Sequence, residues 1–386
     1  MYIYFIQFAA IAVAGFLIDA NASKKKARQF LIFSFGLLIL LSALRSQNIG
    51  TDLAVHYARR YDLISSYDWS DIPQFAKIST YEIGYCYLMK ALSVISPDIQ
   101  FFIVSTSIFT LGTVGWFIYR NSCDVKMSTY VFVLTCTYYN YMNIVRQAIA
   151  ISIILIGYEI LKKPKNKIVG TVLYILIVML AATVHASSVF CLLFILFSGL
   201  KFREKELLTS VIITVIVFVF YEQILNVFLK IFGVDYYGYL TKEVESVGHF
   251  NIQSVYMLLT IAAAFILGCI TMIIKKGNPG EKIKLTERFR KLSLNESFLL
   301  YTGLFATICR LMVFRMNIIN RFSYFLIPFV LLLYPAALYG FRLKANQRKV
   351  KIFIYLFLGV YFVWMTISYE ALFHRTVPYE FFWQMQ

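Results

Sequence analysis

The sequence predicts an all-α, polytopic transmembrane bundle, and three observations carry that prediction. Sixty per cent of its 386 residues are hydrophobic, against roughly 45–50% in a soluble domain. Only 15% are charged, where about a quarter is usual. Mean hydropathy is +0.71, and the apolar residues gather in long blocks. Such blocks read as membrane spans, because a helix needs roughly 20 apolar residues to cross the hydrocarbon core.

In chain order the blocks fall at 2–18, 30–44, 99–119, 128–141, 145–161, 168–183, 187–200, 207–232, 253–274, 297–314, 322–340 and 352–368. That gives twelve spans, several of them short enough that their ends must run into flanking polar residues. The first block has no basic region before it and no small-residue cleavage site after it, so it reads as a retained span. Segment 82–95 (EIGYCYLMKALSVI) is also short and carries Glu82 and Lys90. It is expected as an interfacial or re-entrant helix that does not cross.

With that choice, six basic segments fall on one side: 19–29, 120–126, 162–167, 201–206, 275–293 and 342–351. They hold 25 of the 37 Lys and Arg. The positive-inside rule makes that side cytoplasmic. Both termini then face outward, as do loop 45–98, loop 233–252 and tail 369–386. The whole of 1–386 is expected as a single transmembrane domain in the lipid bilayer. A net charge of +17 in a soluble protein would suggest nucleic acid. Here it follows from the basic loops, and no nucleic-acid partner is expected. The six cysteines form no C-x-x-C and lie mostly inside apolar blocks, so they read as small hydrophobes.

Five outward strings could carry chemistry. In RSQNIGTD (45–52), Gly50-Thr51-Asp52 suits a turn, and Asp52 either caps the following helix or joins Arg45 at the mouth of the bundle. In YEIGY (81–85), Glu82 is either a first-turn acid favoured by the helix dipole or a carboxylate for sugar hydroxyls. In NIVRQAIAISI, Arg146 and Gln147 open a span. A helix start and a guanidinium together make an anion site, although an Arg there can also simply snorkel. In ATVHASS, His185 sits between two blocks, as an interfacial residue or as a working one. In RLMVFRMNIINRFSYF, Arg310, Arg315 and Arg321 crowd one outer turn with no acid among them. They either anchor the turn or grip an anion such as a diphosphate. No P-loop, H-E-x-x-H, G-x-S-x-G or outer D-x-D is present, so ATP hydrolysis and zinc proteolysis have no support and no metal ligands are identified.

These strings, in this order, resemble the EpsG family of Wzy-like exopolysaccharide polymerases. The resemblance rests on RSQNIGTD, YEIGYCYL, the RQAIA at 146–150, LAATVHASS, NRFSYFLIP and the VPYEFFW at 377–383. One departure is that a tyrosine expected soon after Asp52 comes one residue late, at Tyr57, with His56 in its place. The resemblance implies a GT-C-like glycosyltransferase in a bacterial cytoplasmic membrane. It would act at the outer leaflet on oligosaccharide repeat units carried by undecaprenyl diphosphate, with a flippase and a chain-length regulator as partners and no cofactor. Arg146, His185, Glu82 and Asp52 are then the expected catalytic residues. Arg45, Gln147, Arg315, Arg321 and Tyr57 are expected to bind substrate. A flippase or other transporter, and a membrane acyltransferase that decorates polysaccharide, remain the alternatives.

The charge partition makes a topological prediction: His185 and Tyr239 face outside, and Lys165, Lys284 and Lys349 face the cytoplasm. Single cysteines at these positions, treated with an impermeant thiol reagent in intact cells, should react only at the first two. Labelling at position 165 contradicts the partition.

Overall fold

The computed structural model describes residues 2–162, 166–224, 252–274, 284–341, 343–368 and 375–384. Among them the regular elements are helical, and the one β-type contact is an isolated antiparallel bridge between Arg45 and Phe381. In chain order the helices are α1 (Tyr2–Leu17), α2 (Lys24–Ala43), α3 (Ala58–Ser65), α4 (Ile72–Ser79), α5 (Ile83–Ile95), α6 (Ile99–Asn121), α7 (Val125–Leu134), α8 (Thr137–Asn143), α9 (Val145–Lys162), α10 (Lys167–Val184), α11 (Leu193–Gly199), α12 (Glu204–Val219), α13 (Ile252–Gly268), α14 (Leu285–Arg290), α15 (Leu294–Met312), α16 (Asn320–Tyr339) and α17 (Lys344–Ile367).

Six described segments are long and apolar enough to cross a membrane: α2, α6, α10, Ile252–Ile274, Asn317–Tyr339 and α17. Helices α8 and α9 make a seventh if they form one broken span, bent by 116°. Helices α1, α5 and α7 are apolar but shorter. Helix length therefore supports six or seven spans where the apolar blocks suggest twelve. Part of the difference arises where blocks are interrupted, and part because α1, at 16 residues, is short and block 207–232 lies partly outside the described residues. Block 128–141 is broken at Cys136, whose φ is +59°. Block 187–200 is divided between a 3-10 turn, Ala186–Leu192, and the short α11. Loop 233–252, apart from Ile252, and positions 165 and 239 lie outside the described residues.

Polar caps set several helix starts, since the first N–H groups of a helix need acceptors. Ser23, Asp98, Asp124 and Asn166 each accept from a backbone N–H in the first turn of α2, α6, α7 and α10. Ser293 and Glu296 form a reciprocal capping box on α15. Asp52 does not act in this way. Its backbone is already helical, at φ −66° and ψ −37°, and its side chain makes no cap bond. The helix begins earlier, because the Ala54 N–H already reaches the Gly50 carbonyl at 2.9 Å. Glu82 likewise precedes α5 instead of lying in its first turn. It has extended dihedrals, and its own carbonyl accepts from Tyr85 and Cys86.

The chain divides into two compact units, 1–195 with 351–386, and 196–350, where a single domain over 1–386 is expected. In the second unit α15 and α16 pack closely. A Cβ at Gly303 would lie 2.7 Å from the Leu333 side chain. The apolar window that ends in α16 is 83% buried, so Pro328 and Pro335 sit where neighbouring helices surround the backbone. The window of α10, in the first unit, is only 28% buried, and it leaves Ile168, Leu176 and Leu180 exposed. A helix with that exterior belongs against lipid tails.

Arg45 lies at the centre of the first unit and is only 1% exposed. Its guanidinium donates to the Ser42 carbonyl at 2.6 Å, Ser42 Oγ at 2.5 Å, Ser107 Oγ at 3.2 Å and the Met142 carbonyl at 3.3 Å. It thereby joins α2, α6 and α8. Segment 375–384 covers the same region. The Ser46 N–H donates to the Glu380 carbonyl at 2.8 Å, and the Phe382 N–H donates to the Leu44 carbonyl at 3.0 Å. Tyr379 Oη donates to the Leu41 carbonyl at 2.6 Å, and Tyr4 Oη donates to the Thr376 carbonyl.

Gly50 stands where these segments cross. Its φ is +97°, and a Cβ there would come within 3.0 Å of the Met142 carbonyl oxygen. Both facts demand glycine. Gly50→Ala should therefore lower stability by about 1–2 kcal/mol, read as a fall in the unfolding midpoint of detergent-solubilised protein. A wild-type midpoint would show that the loop can bend another way.

Candidate active site

The Glu82 carboxylate organises a cluster drawn from three elements. Its Oε2 accepts from Arg146 Nη1 at 2.6 Å, in the first turn of α9. Its Oε1 accepts the Ala186 N–H at 2.9 Å and lies 3.7 Å from His185 Nδ1 at the end of α10. Gly84 makes this approach possible, since a Cβ there would overlap Thr183 Oγ1 at 2.2 Å. YEIGY and ATVHASS, a hundred residues apart, thus meet through a glycine. Glu82 and Arg146 are 22% and 18% exposed, so the pair is sheltered yet reachable from outside.

Aromatic rings surround the guanidinium. Arg146 Cζ stands 4.7 Å from the Tyr81 ring centroid and 5.9 Å from that of Tyr85. Tyr57 contacts both rings, at 5.8 and 5.6 Å between centroids. Arg60 covers Tyr81 at 4.2 Å. Burial pushes the Tyr57 phenol well above its usual pKa, against the lowering pull of Arg146. Tyr81 shifts the same way, again from burial, with Arg60 opposing. Both phenols therefore stay protonated at neutral pH and can donate to an acceptor oxygen. Among the described residues, Arg146 Nε and Tyr85 Oη are buried with no hydrogen-bond partner. Unsatisfied polar atoms at one spot mark a place where a polar ligand can complete the set.

The other expected residues are placed as follows. Asp52 holds its N–H on Asn143 Oδ1 at 2.9 Å, and its charge acts on the phenols of Tyr57 and Tyr81. RSQNIGTD and NIVRQ therefore also meet here. Gln147 is buried beside Arg146 in α9. Arg45 is engaged by Ser42, Ser107 and Met142, which gives it a structural task in supporting α8. Arg315 and Arg321 belong to the second unit. There Arg315 Cζ lies 4.6 Å from the Phe218 ring and 5.3 Å from Tyr221. Arg321 stands in the first turn of α16. Arg310 is 4% exposed and faces the Tyr324 ring at 5.2 Å. Arg60 is not singled out from the sequence, and YEIGY is considered there for Glu82 and not for its two tyrosines. The available signal was spacing, because Arg60 follows Tyr57 by three residues and so shares its face of a helix.

A family model described as the EpsG family matches residues 28–381. No curated protein and no solved structure matches the chain.

The Glu82–Arg146 contact should couple α5 to α9 energetically. Glu82→Ala and Arg146→Ala, made singly and together, should give a coupling free energy of roughly 1–3 kcal/mol in unfolding measurements. Strictly additive losses would mean that the pair does not hold the two helices together.

Proposed function

The chain belongs to the EpsG family, and on that premise we propose that it is a polysaccharide polymerase. It transfers a growing glycan from undecaprenyl diphosphate to a sugar hydroxyl of the next lipid-linked repeat unit. The reaction takes place at the outer leaflet of a bacterial cytoplasmic membrane and needs no metal ion. The observation that carries this reading is the Glu82–Arg146 pair, set among Tyr57, Tyr81 and Tyr85 at the start of a bent apolar helix.

The chemistry divides between a base and fixed cations. The acceptor oxygen forms a bond to the anomeric carbon, and the bond from that carbon to the phosphate oxygen breaks. The diphosphate leaves with the electron pair and gains negative charge. Arg146, assisted by Arg60, stabilises that charge, since fixed cations act where charge develops. Arg146 Nε is a buried donor without a partner among the described residues, while Nη1 is committed to Glu82. Glu82 orients the acceptor hydroxyl and takes its proton. Asp52 supports the tyrosines, Gln147 and Tyr57 contact substrate, and His185 hydrogen-bonds phosphate or acceptor. In the second unit, Arg315 and Arg321 are proposed as cations that bind phosphate there. The tyrosine faces suit sugar rings.

Twelve crossings with both termini outside, a GT-C-like bundle, and cooperation with a flippase and a chain-length regulator complete this reading. One observation favours a transporter instead. The break between α8 and α9 is the kind of discontinuous helix that transporters use around a substrate.

A single assay separates these readings. Purified protein in nanodiscs, given lipid-linked repeat units in excess chelator, should produce ladders of longer glycans. Arg146→Ala should reduce that turnover about a hundredfold or more, with protein abundance unchanged. Arg146→Lys should fail as well, because an ammonium lacks the two-pronged geometry. Substrate that changes sides without lengthening identifies a flippase, and an added acyl mass identifies an acyltransferase. Turnover that needs restored magnesium refutes the metal-independent step.

A further inference from the structure

Helices α2 and α6 run side by side in opposite directions. Gln100 Nε2, near the start of α6, donates to the carbonyl of Ala43, the last residue of α2. Along their flank lie two adjoining cavities. The first, of about 610 Å³, sits where α2 begins and α6 ends. Lys24, Arg120 and Lys162 line it against one acid, Glu159. Glu159 is taken by Arg120 at 3.2 Å and by Asn121 at 2.6 Å, so the cleft keeps a positive excess. The 20 residues of α2 place this cleft about 30 Å from Arg45.

The second cavity, of about 540 Å³, continues from the first across Tyr119, which lines both. Arg28 stands at its mouth, and its walls are Leu31, Phe35, Ile39 and Trp116. Gly36 and Gly112 form part of its floor. A Cβ at either would meet nothing within 4 Å. Packing therefore does not require glycine at these two positions, although each weakens its helix by about 1 kcal/mol relative to alanine. Their visible effect is an open apolar strip. From Arg28 to Ile39 the strip is about 17 Å long, close to half of the ~30 Å hydrocarbon core.

We propose that cleft and strip together hold one anionic glycerophospholipid from the leaflet on the Lys24 side. Its phosphate sits among Lys24, Arg28 and Arg120, and one acyl chain lies over Gly36 and Gly112. The positive excess selects an anionic head over a zwitterionic one. The apolar strip selects a lipid over a free phosphate. This assignment does not depend on the reading of the Glu82–Arg146 site.

Native mass spectrometry of the full chain released from detergent, with phosphatidylglycerol and phosphatidylcholine of matched chains, tests it. The protein should retain one phosphatidylglycerol in preference to phosphatidylcholine, and inorganic phosphate should not displace it. Lys24→Ala and Arg28→Ala, both at exposed side chains, should each weaken retention roughly fivefold. Gly36→Leu with Gly112→Leu should abolish it while leaving the unfolding midpoint at or above wild type. Equal retention of the two lipids overturns the proposal. So does retention that survives the paired leucines, displacement by phosphate alone, or a second copy of the chain in place of lipid. If the leucine pair fails to fold, the two alanine variants decide: unchanged retention in both refutes the site.

Discussion

A guanidinium sealed from solvent persists only where acceptors surround it, because the charge loses its hydration and must be compensated locally. Arg45 meets that condition through Ser42, Ser107 and the Met142 carbonyl, and much of the first unit follows from it. The Met142 carbonyl is held from one side by Arg45 and crowded from another by Gly50. That fixes the end of α8. Asn143 then receives the Asp52 N–H, and the chain turns by 116° into α9. Arg146 emerges from the turn facing Glu82. A buried structural arginine thus sets the position of a reachable one a hundred residues later in the chain.

The arginines share a second habit. Arg146 and Arg60 lie against Tyr81, Arg310 against Tyr324, and Arg315 against Phe218 and Tyr221. A ring beside the guanidinium attracts the cation through its quadrupole. A guanidinium held at a ring can still donate from its N–H fork, which grips planar oxyanions. Aromatic content of 18% therefore does more than fill membrane interfaces. It orients cations that would otherwise be satisfied only by acids, and the candidate strings hold few acids.

What could be read in the sequence was local. Apolar blocks 30–44, 99–119 and 168–183 fall, to within a residue at one end, inside α2, α6 and α10, which run Lys24–Ala43, Ile99–Asn121 and Lys167–Val184. The candidate strings around Asp52, Glu82, Arg146 and His185 were visible as polar interruptions of apolar chain. Their meeting was not visible, because Glu82 and Arg146 are 64 positions apart, and the close approaches beside them, Gly84 against Thr183 and Gly50 against Met142, also join distant parts of the chain. Asp52 misled for a related reason. The turn-forming residue Gly50 starts the helix itself, so no cap was needed. Counting spans from hydropathy missed the αL residue Cys136, which does not change composition, whereas the bend at Ile144 falls between blocks 128–141 and 145–161.

The bridge between Arg45 and Phe381 has a consequence for how the molecule is made. The two residues of that contact lie 336 positions apart, and the ribosome delivers Phe381 long after Arg45. The Leu44 carbonyl and the Ser46 N–H therefore wait for their partners until residues 380–382 are made, with residues 196–350 synthesised in between. Assembly of the first unit is a late event with long-range closure, of the kind that folds slowly and stays exposed to misassociation.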